Sequence, residues 1–247
     1  RNVTGVQTCA LPISLANLDA VKADEPDAFR GRYWPDGMVR VIGREYNALV
    51  ESACYRSGAL SCLSCHNSHA SEPDDQLGAG METDRACVQC HTAIGADVPA
   101  HTHHPAASDG SRCYNCHMPF TDYGLLKASR SHQINSPTVQ ASIDAGRPNA
   151  CNQCHLDKSL GWAAERLTAW YGTPLPRLPD GWADTSATVM WAHTGDAGQR
   201  ALAAWSFGWP AARAASGEGW MAPHLATLLD DPYPAVRYIA EIGRAHV

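Results

Sequence analysis

The chain has 247 residues, a length for one or two domains, and 45% of them are apolar against 18% charged, enough to bury a core. Nineteen bases against 25 acids leave a net charge of −6, which argues against the basic face that a general nucleic-acid binder needs. No apolar run approaches the ~20 residues of a membrane-spanning helix, and the unusual numbers are ten cysteines and twelve histidines.

Both ends read as foreign. Residues 3–13 (VTGVQTCALPI) back-translate to a string that looks like a short-read sequencing adapter. Residues 241–247 (EIGRAHV) back-translate to DNA partly complementary to it. Residues 1–13 and 241–247 are therefore expected to be adapter-derived, and Cys9 with them. The expectation is a fragment whose native ends, any signal peptide included, are lost.

Residues 14–53 read as a lead-in. Asp36-Gly37 signals a turn before a short strand. After Gly43, the helical spacing of Tyr46, Leu49, Val50, Ala53 and Cys54 predicts one helix with an apolar face. That face is expected to cover a first cofactor, with Cys54 as a buried thiol.

Residues 54–171 carry the chemistry. Four copies of C-x-x-C-H stand there: Cys62/Cys65/His66, Cys87/Cys90/His91, Cys113/Cys116/His117 and Cys151/Cys154/His155. This is the attachment signature of c-type haem. Two thiols one short turn apart add to the two vinyl groups of one haem, and the next residue's imidazole is the proximal ligand of its iron. A four-cysteine zinc site or a disulfide framework would also use such cysteines. Neither explains a histidine after every second cysteine. Four haems on about a hundred residues must supply much of the buried apolar surface themselves and lie close together, as an electron wire requires. Each motif is expected to converge on an apolar gap. Short cysteine–cysteine contacts there are expected to mark thioether positions, not disulfides.

A second axial position per iron remains to be filled. Five histidines outside the motifs are candidates: His69, His101, His103, His104 and His132. Which four of the five serve stays open. Bis-histidine ligation is expected, with Met118 packing rather than ligating. The segment between motifs, rich in Ser, Asp, Gly and Pro, predicts short helices and long loops.

After the fourth motif the cysteines stop and tryptophans accumulate. Residues 159–171 predict a helix that Gly172 can end. Residues 172–190, with three prolines, read as a linker. In 191–240, a helix over 196–207 precedes a helix pair, 220–229 and 234–240, around Asp230-Asp-Pro-Tyr-Pro. Leu225, Leu228 and Leu229 are expected to face Val236, Ile239 and Ala240, like one unit of a HEAT-type repeat. His193 and His224 read as structural. The fold class is thus mainly α: a loop-rich multihaem cytochrome c domain followed by a helical repeat segment.

The four motifs, His-Thr-His-His at 101–104, Cys-His-Met-Pro at 116–119, Arg-Ser-His at 130–132 and Gly-Arg-Pro-Asn-Ala-Cys-Asn-Gln-Cys-His at 146–155 resemble the multihaem cytochromes c with paired C-x-x-C-H motifs. These are like the tetrahaem cytochromes of nitrifying bacteria. The resemblance covers about residues 30–171. It implies an exported, periplasmic bacterial protein that carries four haems c with their iron and transfers electrons to or from redox partner proteins. Docking of such a partner is expected on the helical C-terminal part. The alternative is an oxidoreductase with one open iron, acting on a small nitrogen or sulfur species. A third reading is a haem-bearing interaction or sensor module.

Overall fold

The computed structural model describes residues 26–67, 69 and 76–244. Residues 1–13 and 245–247, expected to be adapter-derived, lie outside the described residues, while 241–244 belong to the last helix. The molecule is helix-rich with little sheet, and its contacts divide it into two units.

Among the described residues, the first unit comprises 26–29, 43–67, 69, 76–118 and 131–136. Helix α1 (Pro26–Arg30) opens the described chain. The others are α2 (Glu45–Leu49), α3 (Ala53–Arg56), α4 (Arg85–Val88), α5 (Thr92–Gly95), α6 (Val98–Thr102) and α7 (Cys113–His117). Single 3₁₀ turns stand at Cys62–Ser64 and Asp109–Ser111. The single helix predicted across 46–54 is in fact two. Ser52 takes an extended backbone, and its hydroxyl accepts from Tyr55 N–H while donating to the Leu49 carbonyl. A serine that caps a new helix ends the old one. Ala53 is consequently exposed, and Cys54 is half-buried rather than buried. The fully buried apolar side chains described in this unit are Phe29, Ala48 and Leu49.

The second unit comprises residues 30–42, 119–130 and 137 onward. It holds a two-stranded antiparallel hairpin, β1 (Asp122–Gly124) and β2 (Lys127–Ser129), with Asp122 opposite Ser129. Its helices are α8 (Val139–Ala145), α9 (Ala150–Cys154), α10 (Leu160–Tyr171), α11 (Ala187–Thr194), α12 (Ala197–Gly208), α13 (Pro210–Ser216), α14 (Ala222–Leu228) and α15 (Pro234–Arg244). The predicted α10 is present. Ser159, read as its first residue, instead caps it by accepting from Trp162 N–H, and Gly172 closes the helix in the left-handed conformation. Asp196 heads α12 in a reciprocal capping box with Gln199. Helix α14 starts two residues later than its periodicity suggested, with proline in its first turn, where the missing N–H costs nothing.

Helix α12 is the centre of this unit. It packs against α11 and α15, and α14 packs on α15. Leu225 and Leu228 are buried with Val236, Ile239 and Ala240, as their spacing predicted, around Phe207 and Met221. Burying each of the larger side chains contributes about 1.5–3 kcal/mol. Asp231, in the turn between α14 and α15, is buried and accepts two hydrogen bonds from Arg200 of α12, at 2.5 and 3.1 Å. Burial raises the Asp231 carboxyl, but the guanidinium fork and the Tyr233 N–H outweigh it, and its pKa lies below the ordinary value. Among the described residues no helix is long and apolar enough to cross a membrane.

Candidate haem-attachment site

Each C-x-x-C-H folds as one helical turn. The histidine N–H donates to the carbonyl of the first cysteine at 2.9 Å for His66, 3.0 Å for His91 and 2.8 Å for His155, and Cys113–His117 is itself α7. One turn brings the two cysteines of a motif to neighbouring positions on a single strip of helix surface. No disulfide forms among the described cysteines. Burial lifts the Cys62 and Cys65 thiols, and lifts Cys116 to about 11 with help from the neighbouring Cys113.

The first three motifs belong to the first unit, and interactions between motifs hold them. Asp84, just before α4, accepts from Cys113 N–H at 2.9 Å. Tyr114 donates its hydroxyl to the Met81 carbonyl at 2.5 Å. The thiols of Cys87 and Cys113, the first cysteines of the second and third motifs, share a hydrogen bond. It raises Cys87, with burial adding to it, and lowers Cys113 against burial.

Cys90 departs from the expected pattern. Seven of the eight motif cysteines are half-buried, but Cys90 is exposed, and His91 beside it is exposed too. Helix α4 is seated through Val88, which packs so closely on α5 that a Cβ at Gly95 would sit 2.9 Å from it. Cys90 stands two residues further on, about 200° round a helical turn from Val88.

Two motif histidines have their ring orientation fixed. Nδ1 of His66 faces the Gln76 carbonyl at 3.2 Å, and Nδ1 of His117 faces the Asn135 carbonyl at 2.9 Å. A carbonyl only accepts, so the proton sits on Nδ1 and Nε2 keeps its lone pair, the arrangement of a metal-ligating imidazole. Burial is the main cause that lowers the His117 pKa, which keeps that ring neutral.

Two of the five outer histidines meet motif histidines. His132 lies 6.2 Å from His66, centroid to centroid, with ring planes 20° apart. His101, in the last turn of α6, lies 6.1 Å from His117 with planes 12° apart. The other three are placed differently. His69 is exposed, its N–H donating to Asn67. His103 closes α6 at φ +57° and is exposed. His104 turns Nδ1 to the Thr102 carbonyl at 2.6 Å and lays its ring over Gly110, where a Cβ would collide with it.

The fourth motif belongs to the second unit and is embedded in helices. Its spacer residues Asn152 and Gln153 are both buried. Gln153 accepts from Phe120 N–H at 2.9 Å and donates to Phe120 C=O at 2.7 Å. The Asn152 side chain donates to the carbonyls of Lys158 and Ser159, and its backbone carbonyl accepts from the Thr188 hydroxyl. Ser216 donates to the Cys154 carbonyl and accepts from Leu156 N–H. His155 lies against Trp162, ring centroids 4.8 Å apart. Nothing in the motif signature pointed to these spacers.

Residues 55–96 match the family model of the doubled CXXCH motif. No curated protein and no solved structure matches the chain. The matched segment contains the first two motifs, and CXXCH motifs indicate covalently bound haem c. The first unit fits such a group in three respects. Two of its motif histidines present Nε2, its cysteines are not oxidised to one another, and it buries too few apolar side chains to be a core of its own. Among the described residues no three His, Cys, Asp or Glu side chains converge as a metal-ion site, which a four-cysteine zinc centre would require.

Proposed function

We propose that the protein is a multihaem c-type cytochrome that transfers electrons, with four haems held by Cys62/Cys65, Cys87/Cys90, Cys113/Cys116 and Cys151/Cys154. His66, His91, His117 and His155 are the proximal ligands. When bound, a c-type haem supplies one-electron chemistry at its iron.

The observation that carries this reading is the pairing of His66 with His132 and of His101 with His117. Two imidazoles on opposite sides of one metal, each with a metal–nitrogen bond of about 2 Å and a ring centre about 1.1 Å beyond the nitrogen, have centroids about 6.2 Å apart. Both pairs have this separation, and in both the motif member presents Nε2. His132 and His101 are accordingly assigned as distal ligands of the first and third motifs. Closed, bis-histidine irons suit electron transfer, because no ligand is exchanged when the oxidation state changes. His69, His103 and His104 remain the candidates for the other irons.

An exported, periplasmic protein is part of this reading, and the covalent attachment of haem c supports it. The helices of 191–240, read as a HEAT-like repeat segment, are proposed to dock a redox partner protein.

A second reading, an oxidoreductase with one open iron, draws support from the second unit. Its described histidines besides His155 are His193 and His224, which bond to each other.

The test is the visible spectrum of the reduced, haem-loaded protein with and without carbon monoxide, together with a haem count. Four c-type haems unmoved by carbon monoxide support electron transfer. A shift in about a quarter of the haem, the share of one iron in four, supports the enzyme. His132→Ala and His101→Ala should each open one iron to carbon monoxide; an unchanged response in both would overturn the ligand assignment.

A further inference from the structure

His193 on α11 and His224 on α14 stand 31 residues apart in sequence, yet Nε2 of His193 lies 2.9 Å from Nδ1 of His224. No other hydrogen bond to either ring is made among the described residues. His193 is exposed and His224 half-buried, so water reaches the pair from one side. The His224 ring is held in place by carbon. Phe207 lies parallel to it at 6.3 Å, and Trp220 meets it edge-on at 5.7 Å.

We propose that His193 and His224 form a surface site for a divalent transition metal, and that the metal it fits is Cu(II). Imidazole nitrogen suits copper, nickel and zinc, and of these Cu(II) binds a given nitrogen site most strongly. Two ring nitrogens already side by side, 2.9 Å apart, can take neighbouring positions on one tetragonal ion. Waters complete the coordination. In the metal-free pair one ring donates its N–H to the other. On binding, that proton passes through solvent to the outer nitrogen of the same ring, so both rings stay neutral and each gives one lone pair to the metal.

The site lies outside the haem motifs, so its test is independent of the haem reading. Oxidised, haem-loaded protein without a polyhistidine tag is dialysed against Cu(II), and copper is counted against iron while its paramagnetic resonance is recorded. His193→Ala is expected to lose one copper per chain, with its tetragonal, nitrogen-coupled signal, while the iron count and haem spectrum stay unchanged. His224→Ala should do the same. Because it also touches Phe207 and Trp220, the exposed His193 variant is the deciding one. A copper count and signal that survive His193→Ala would overturn the site. Displacement of this copper by an equal concentration of Zn(II) would overturn the assignment of the metal.

Discussion

The two units solve the same problem, holding C-x-x-C-H turns in place, by opposite means. The first carries three motifs, one on a 3₁₀ turn and two on helices of four and five residues, and its described buried apolar side chains are Phe29, Ala48 and Leu49. The second carries one motif inside stacked helices of up to twelve residues, over a continuous core from Val139 to Ala240. Helices of one turn are unstable alone, since nucleation costs more than one turn returns. The first unit therefore depends on the groups attached to it, and the second depends on its own side chains.

That contrast can be broken in several ways. The largest effect should come from withholding haem. Chain made without haem attachment should lose protection throughout residues 43–118 in limited proteolysis, while 137–244 resist. Equal protection of both would refute the contrast. Next is Asp231→Ala, which strands Arg200 in the second unit. It should cost about 3–5 kcal/mol of that unit's stability, measured by denaturant melts, as loss of one partner of a buried pair does. Gln153→Leu leaves a donor and an acceptor of Phe120 unmet and should cost about 1–3 kcal/mol, with the haem content of the first three motifs unchanged. Acid offers a finer probe. The folded pKa of Asp231 is depressed, so its contribution is fully present above the ordinary carboxylate value and is lost as pH falls through the folded one. Melts through this acid range should show that loss, and Asp231→Asn should remove it. Ser159→Ala, which removes one cap of α10, should cost about 1 kcal/mol, visible as a small shift of the same melt.

Sequence reading succeeded where signals were local. Helix α10 announced itself by an apolar stripe and a closing glycine, and the doubled motif within residues 55–96 by its spacing. It failed where a local competitor intervened, as when Ser52 split the helix expected over 46–54. The motif spacing gave no sign that Cys90 would be exposed, because that follows from Val88 seating α4 on α5. Among the outer histidines, spacing could not separate His101 from His103. The difference is two residues of backbone: His101 lies in the last turn of α6, and His103 turns left-handed just after it. The meeting of His193 and His224 was not legible either, because it depends on how two helices pack.

The spacer amides of the fourth motif bear on how such chains can be built or copied. A motif scan sees four equal copies, with two interchangeable positions in each. Asn152 and Gln153 occupy those positions, yet their side chains engage the backbones of Phe120, Lys158 and Ser159. Exchanging them for the Leu-Ser of the first motif would preserve the signature while removing the joints. A duplicated fourth motif would likewise arrive without its sockets, whereas the single-turn motifs of the first unit ask far less of their surroundings. Growth of the chain by repeating haem sites is thus easier with the loop-borne copies than with the helix-embedded one.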